Sequence, residues 1–337
     1  MNSWTSTWRE VTVSIIIPVY KVSAYIEGCL KSVMNQTYKD IECILVDDAS
    51  PDDSIVKCEQ MIAAYQGLIR FSILHHQKNR GLSAARNTGT DAATGDYIYF
   101  LDSDDELTND CIEKLVRPVM NDASIEMVMG NYLRCANGCE IHSSERLTLH
   151  LQEEEFNSRE AVRNRYFGKG IYQSAWNKLI KRDFLNQHHL RFKEGILWED
   201  TLWLFFVVKY LSHFYTIPDV TYHYVKRSQA LTTGMIKGAE LVRHWCTVYD
   251  EIARHFTEGE KGREAKYHWK GFCFRCINNP DNQEFQRIAK KYKKVLWEER
   301  CLSDLLLLTE IVALSRFKWG KNIFLRATKR IRSVKKG

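Results

Sequence analysis

Over the first hundred residues, apolar β-prone runs alternate with stretches whose apolar positions recur at helical spacing. That pattern predicts βαβ units built on a mostly parallel sheet. Val13–Val19 (VSIIIPV) is a β-branched run that should end at Pro18, which cannot donate to a central ladder, leaving Tyr20 just past the first strand. Ile26, Leu30, Val33 and Met34 follow helical spacing behind Ser23, a candidate N-cap. Ile41–Val46 reads as a second strand, and it is followed by Asp47-Asp48-Ala49-Ser50-Pro51. A helix from about Asp52 to Gln66 and a strand over Ile69–Leu74 come next, then Asn79–Gly89, a turn leading into a helix rich in small residues. Tyr97–Leu101 has no polar alternation, so it reads as a strand buried on both faces, and it stops abruptly at Asp102-Ser103-Asp104-Asp105.

Beyond Asp105 the alternation loosens. The pattern predicts a helix over Thr108–Met120, a strand over Glu126–Arg134 and a polar, exposed strand over Ile141–Leu151. Trp176–Ile180 precedes a short helix, and Leu202–Tyr210 is an apolar helix whose start is marked by Glu199 and Asp200. Tyr215–Ile217 and Val220–Val225 read as short strands. From Ile236 onward the periodicity is helical: about Gly238–Phe256, Glu260–Asn278, Glu284–Arg300 and Leu302–Arg316.

Composition adds bounds to this outline. A chain of 337 residues, 45% hydrophobic, can bury a sizeable core and holds one large domain with an appendage, or two domains. No apolar run reaches the roughly 18 residues needed to span a bilayer. Residues 1–10 are polar and lack the layout of a signal peptide, so a flexible N-terminus and a cytoplasmic location are expected. Ten cysteines in that setting read as reduced thiols; a four-thiolate zinc site from Cys135, Cys139, Cys273 and Cys276 would need distant elements to meet. The formal charge of +6 is uneven: nine Lys/Arg and no acid follow Ile311, against 39 basic and 42 acidic residues before it. Those cations are interleaved with Phe317, Trp319, Ile323, Phe324, Leu325 and Ile331, the composition of an interfacial helix meeting anionic lipid at the inner face of the cytoplasmic membrane. A solvated helix packed on its own domain fits equally. No nucleic-acid motif accompanies the charge, so nucleic acid is not an expected partner.

The chemistry points to the strand ends. In open α/β sheets ligands bind outside the carboxyl ends of the strands, and there this chain places Tyr20, Asp48, Asp102 and Asp104. Hard oxygen ligands on a short turn suit Mg²⁺ or Mn²⁺ holding a phosphate, although Asp is also a common turn residue. Three other candidates have structural rivals. Asp47 would cap the turn it shares with Asp48, Arg86 would pair with a neighbouring acid, and Asp200 would serve only as a helix-start carboxylate.

Five blocks in order give these residues a context: Ser14–Tyr20, Val46–Ser50, Asn79–Gly89, Leu101–Asp105 and Trp198-Glu199-Asp200. Together they resemble glycosyltransferase family 2, inverting enzymes with the A-type glycosyltransferase fold, over about Val13–Arg227. Trp176–Leu179, Phe192–Gly195 and Tyr222–Tyr224 are similar to the subset that builds bacterial surface polysaccharides and lipopolysaccharides. The resemblance implies a catalytic region over residues 11–227, with a nucleotide-binding half (11–105) and an acceptor half (106–227), followed by a helical region (228–337) with the basic tail. It implies that Pro18, Val19 and Tyr20 lie against the base and that Asp48 accepts the uracil N3 proton. Asn79 and Arg86 would shape the phosphate side, with Asp102 and Ser103 by the ribose. Asp104, with Asp102, would ligate Mn²⁺ or Mg²⁺, and Asp200 would be the catalytic base. Trp198, Glu199, His223 and Arg227 are the candidate acceptor or phosphate contacts. The expected activity is transfer of a sugar from a UDP-sugar to a hydroxyl of a glycan or lipid-linked acceptor. The Gln-x-x-Arg-Trp signature of processive synthases is absent, which suggests one sugar per encounter. The rival readings are a sugar-phosphate nucleotidyltransferase, for which the segment after the first strand lacks the glycine-rich loop, and an inactive nucleotide-sugar-binding scaffold.

Overall fold

The computed structural model describes residues 10–136, 146–147, 150–226, 239–276 and 283–299. Two compact units result, one of residues 1–195 and 199–230, the other of 196–198 and 231–337.

The first unit is a mixed α/β sheet. Strand β1 (Val13–Val19) lies between β2 (Ile41–Asp47) and β4 (Tyr97–Phe100), with β3 (Arg70–His75) beyond β2, and all four run parallel. Helices α1 (Ile26–Met34), α2 (Ser54–Ala64) and α3 (Leu82–Ala92) make the crossovers. β4 hydrogen-bonds to the antiparallel β9 (Lys178–Lys181), which continues to β6 (Met127–Ala136), then β10 (Phe214–Lys226) and β5 (Glu106–Leu107). The chain winds outward from β1 in both directions, so the strand order reverses between β1 and β4. A crevice at the carboxyl ends of those two strands is the place such a sheet offers a ligand. Asp102 follows β4 there, and Tyr20 follows β1.

Pro18 differs from its expected role. It sits within β1, paired with Val46, and does not end the strand. The physical reason is that β4 leaves the ladder after Ile16↔Phe100, so at Pro18 only β2 remains as a partner. Ser23 is not the N-cap either: α1 starts at Ile26 after Tyr25, and the Ser23 hydroxyl instead donates to Asp53. The two short strands expected over 215–225 are one irregular strand, β10, whose register with β6 shifts between Thr216 and Val220, around Pro218. Of the polar, exposed strand expected over 141–151, the described residues are β7 (Arg146–Leu147) and the pair His150-Leu151, which is not strand and in which Leu151 is buried; β8 (Glu154–Phe156) follows with α5 (Arg159–Phe167), which the apolar pattern does not announce.

One face of the sheet packs α1 and α4 (Cys111–Asn121) through Ile15, Ile17, Leu30, Val33, Leu115 and Val116, all fully buried. α3 lies close against the sheet because its residues are small. A Cβ on Gly89 would stand 2.4 Å from Ile16 Cγ2. Gly89→Ala should therefore lower stability by about 1–3 kcal/mol, seen as a lower urea midpoint with an unchanged m-value.

The second unit contains α8 (Ala239–Arg254), α9 (Lys261–Cys276) and α10 (Gln283–Glu298). Aromatic contacts hold it: Phe272 lies 5.2 Å from Tyr249 and 5.1 Å from Phe285, and Trp269 stacks on Tyr292 at 5.6 Å. Among the described residues no helix is long and apolar enough to cross a membrane. The basic tail, Arg227, and the zinc quartet apart from Cys135 lie outside the residues whose side chains are described.

Candidate active site

The site is built around Arg86, on the second turn of α3. Its side chain is 3% exposed, and it forms two charge-assisted bonds to residues far away in sequence. Nη2 donates to Asp102 Oδ1 at 2.7 Å, and Nη1 donates to Glu199 Oε1 at 2.7 Å. Burial opposes the charge of this guanidinium, but Asp102 and then Glu199 outweigh it and hold the group firmly protonated. One planar fork thus ties the end of β4 to the start of α7 (Glu199–Tyr210). Glu199, expected as a ligand contact, is instead buried against Arg86.

Asp200 is the next residue, and it stays partly exposed while its neighbour is buried. Its Oδ1 accepts the Thr201 N–H at 2.7 Å. Burial and the adjacent Glu199 carboxylate push its pKa up to about 7, against the pull of Arg86 and Thr201. A carboxyl group titrating near neutrality can take up a proton at working pH, which an ordinary exposed Asp does poorly.

Asp102, Asp104 and Asp105 place one carboxylate oxygen each within 4.8 Å of one another. They are not equivalent. Asp105 is 1% exposed, and both its oxygens are occupied: the Tyr222 hydroxyl donates at 2.6 Å and the Val225 N–H at 2.8 Å. Burial, then Asp104 and Asp102, raise its pKa well above the usual carboxylate range. Asp102 and Asp104 are the partly exposed members, and Ser103 between them is buried. An all-oxygen set of this kind fits Mg²⁺ or Mn²⁺ better than a thiophilic metal.

The expected base-contacting residues are less open than their sequence suggests. Pro18 and Val19 are buried in β1, and the Val19 carbonyl accepts the Asp48 N–H at 3.0 Å. Tyr20 is partly exposed, with the Lys21 ammonium 5.3 Å from its ring centroid. Asp48 is 3% exposed and accepts three N–H groups: His76 Nδ1 at 2.7 Å, Arg80 N at 2.8 Å and Gly81 N at 2.7 Å. Of the four or so lone-pair positions on a carboxylate, about one is left. Asp48 is therefore first the clamp of the 79–81 turn, whose Gly81 has φ +89°. Asn79 is exposed on the same turn, its amide 3.4 Å from the Asp48 carbonyl. Asp47 behaves as its structural reading predicts, accepting the Ser50 N–H at 2.8 Å.

Two of the remaining candidates are placed by their partners. Trp198 adopts the left-handed region at φ 57°, and its ring stacks on Trp245 at 4.1 Å, so one face is already covered. His223 is 9% exposed and lies in β10 opposite Glu106 of β5 and Leu133 of β6. Sequence reasoning missed Tyr222 as the partner of Asp105 and His76 as a partner of Asp48. It also missed Asn177, which is fully buried and donates to the Gly130 and Asn131 carbonyls while accepting from Tyr99 and Thr221. The available signal was a polar Asn177-Lys178 pair between the apolar Ala175-Trp176 and Leu179-Ile180 at the entry to β9.

The sequence model described as Glycosyl transferase family 2 matches residues 14–188, just over half of the chain. The chain belongs to glycosyltransferase family 2. It is therefore a glycosyltransferase, and the mixed sheet described above is the A-type fold of that family. Glycosyltransferase GlyA of Streptococcus pneumoniae serotype 4 is 33% identical over 192 residues, which are 56% of this chain and 27% of GlyA. Glycosyltransferase GlyG of the same organism is 29% identical over 251 residues, 71% of this chain and 77% of GlyG. The match thus spans only about a quarter of GlyA but about three-quarters of GlyG. Among solved structures, residues 1–349 of Staphylococcus aureus TarS in complex with UDP-GlcNAc superpose with a TM-score of 0.65 at 17% identity. That superposition covers 85% of this chain and 81% of the TarS fragment.

Proposed function

We propose that this family 2 enzyme transfers a sugar from a UDP-sugar to a hydroxyl of a glycan or lipid-linked acceptor in surface-polysaccharide synthesis, with inversion at the anomeric carbon. The observation that carries the reading is the Arg86 fork. It brings Asp102 and Glu199 onto one guanidinium, and with them the acidic turn 102–105 and the adjacent Asp200.

Each side chain then has a role. Tyr20 packs against the base, while Asp48 holds the 79–81 turn and offers its remaining acceptor position to the uracil N3–H. Asp104 and Asp102, the two partly exposed acids, would hold Mn²⁺ or Mg²⁺, and Asp105 would support them from below through its bonds to Tyr222 and Val225. A divalent ion there supplies charge stabilisation to the departing diphosphate, worth several kcal/mol. Asp200 takes the proton from the acceptor hydroxyl as that oxygen attacks the anomeric carbon, and the nucleoside diphosphate departs from the opposite face. The reaction needs one displacement and one base, the arrangement that inverts a glycosidic centre. Glu199 is held by Arg86, which leaves Asp200 for the proton. The location supported by the tail composition is the cytoplasmic membrane surface, where a lipid-linked acceptor would be presented.

The test is thermal shift with UDP. UDP with Mn²⁺ should raise Tm by several degrees, UDP with EDTA should raise it little, and Asp104→Ala should remove the metal-dependent part. Equal shifts with and without metal, unchanged in Asp104→Ala, would remove the clamp from the account.

A further inference from the structure

His76, the residue after β3, has no part in the mechanism above, although it bonds to a side chain that does. Its backbone N–H donates to the Asp47 carbonyl at 2.9 Å, which carries the β2–β3 pairing one residue further. Its side chain is 6% exposed and lies between Asp48 and Thr88 of α3. Nδ1 stands 2.7 Å from Asp48 Oδ1, and Nε2 stands 2.9 Å from the Thr88 hydroxyl oxygen. An ionised carboxylate has no proton to give, so Nδ1 carries the hydrogen and Asp48 accepts it. That tautomer leaves a lone pair on Nε2, which accepts from the Thr88 hydroxyl.

The 79–81 turn does not need this bond. The Arg80 N–H already takes one position on Asp48 Oδ1 and the Gly81 N–H takes one on Oδ2, so two consecutive backbone groups hold the carboxylate by both oxygens. His76 adds a second donor to Oδ1 alone. Each carboxylate oxygen offers about two acceptor positions, so Oδ1 is full and Oδ2 keeps one.

A single open position decides which base edge the carboxylate can meet. Uracil presents one N–H between two carbonyls, and one acceptor matches it. Cytosine presents a ring-nitrogen lone pair at that place, beside an N4 amino group that donates. A carboxylate with both oxygens open would take that amino group. With Oδ1 closed, the open position on Oδ2 faces the lone pair instead, acceptor against acceptor.

We propose that His76 is a specificity-determining residue of the donor site: by filling Asp48 Oδ1 it leaves that carboxylate open to one donor only, and so selects uracil over cytosine. Its role rests on the reading of Asp48 as the acceptor of the base N3–H. It also accounts for a buried histidine with both ring nitrogens bonded, where an apolar side chain would pack without the polar atoms.

The experiment is calorimetric titration of the full chain with UDP and with CDP, each with Mn²⁺, for wild type, His76→Gln, His76→Asn and Asp48→Asn. The amide nitrogen of asparagine stands near the place of Nδ1 and that of glutamine near the place of Nε2. His76→Asn therefore keeps the donor to Asp48, and His76→Gln loses it. His76→Gln should narrow the preference for UDP over CDP about tenfold, while His76→Asn stays within about threefold of wild type. Equal losses for UDP and CDP in His76→Gln, or an unchanged preference, would make His76 a packing residue and overturn the proposal. If His76→Gln does not fold, the imidazole nitrogen resonances of the wild type supply the test. A protonated Nδ1 whose signal moves more with UDP than with CDP is expected, and an Nδ1 without a proton would overturn the proposal. Asp48→Asn should abolish the preference. A preference that survives in Asp48→Asn, or a wild type that has none, would instead overturn the reading of Asp48 on which the role of His76 rests.

Discussion

Asp200→Asn will bind UDP as the wild type does and turn over about 10²- to 10⁴-fold more slowly, a barrier increase of roughly 3 to 5 kcal/mol. The amide keeps an oxygen for the Thr201 N–H, so the start of α7 is preserved, while the group loses its ability to take a proton. The same substitution should stabilise the fold at high pH. Burial and Glu199 raise the pKa of Asp200 from 3.8 to about 7. Between those values the native state holds more protons than the unfolded chain, so this group's contribution to stability falls as pH rises through the window. The cost is fully present above about pH 7 and absent below about pH 4, at a size on the order of 2–4 kcal/mol. Urea unfolding at pH 8 should show the asparagine variant as the more stable protein, and at pH 4 the two should coincide. Wild-type turnover should rise with pH through about 7, because the base works only when ionised.

Arg86→Met should be the most damaging single change in the site. The guanidinium is buried and compensates two carboxylates, of which Glu199 is itself buried. Removing one partner of such a set leaves uncompensated charge and costs about 3–5 kcal/mol. The urea midpoint should fall accordingly at pH 8. Chemistry should suffer as well, since Asp102 loses the donor that orients it and Asp200 loses a cation that favours its ionised form. Lysine will not restore the site: one ammonium cannot present two separate N–H groups to acids on β4 and α7 in the way a planar fork does. Arg86→Lys with wild-type stability and turnover would contradict the linking role given to this residue.

Much of this architecture was legible from the chain because it follows from period. The β-branched runs at Val13–Val19 and Ile41–Val46 placed the strands correctly, and the acids that follow Val46 and Leu101 stand at the carboxyl ends of β2 and β4. The helix starting at Glu199 was equally plain, since an apolar run behind two acids has few other readings. Long-range pairing was not legible. That Arg86 joins Asp102 and Glu199 depends on α3 packing close to the sheet, a consequence of Gly89 and the neighbouring alanines that no local pattern states. The inequality of the three aspartates was hidden for the same reason: Asp105 is sealed by Tyr222 and Val225, more than a hundred positions later. Asp48 shows the converse. Its place after β2 invited a ligand role, while three local N–H groups, supplied by the turn that follows β3, take most of its acceptor capacity. Trp198 was readable as an exposed stacking surface only until Trp245 covered one of its faces.

The central claim is that a cation-holding pair and a lone proton acceptor stand on opposite sides of one anomeric carbon. A crystal structure of the Asp200→Asn variant with intact UDP-sugar and Mn²⁺ tests this most directly. The account predicts Mn²⁺ on Asp104 and Asp102 against the diphosphate, and the residue 200 side chain facing the anomeric carbon from the side away from the leaving oxygen. A donor bound with its anomeric carbon turned away from residue 200, or a diphosphate held without those two acids, would contradict it.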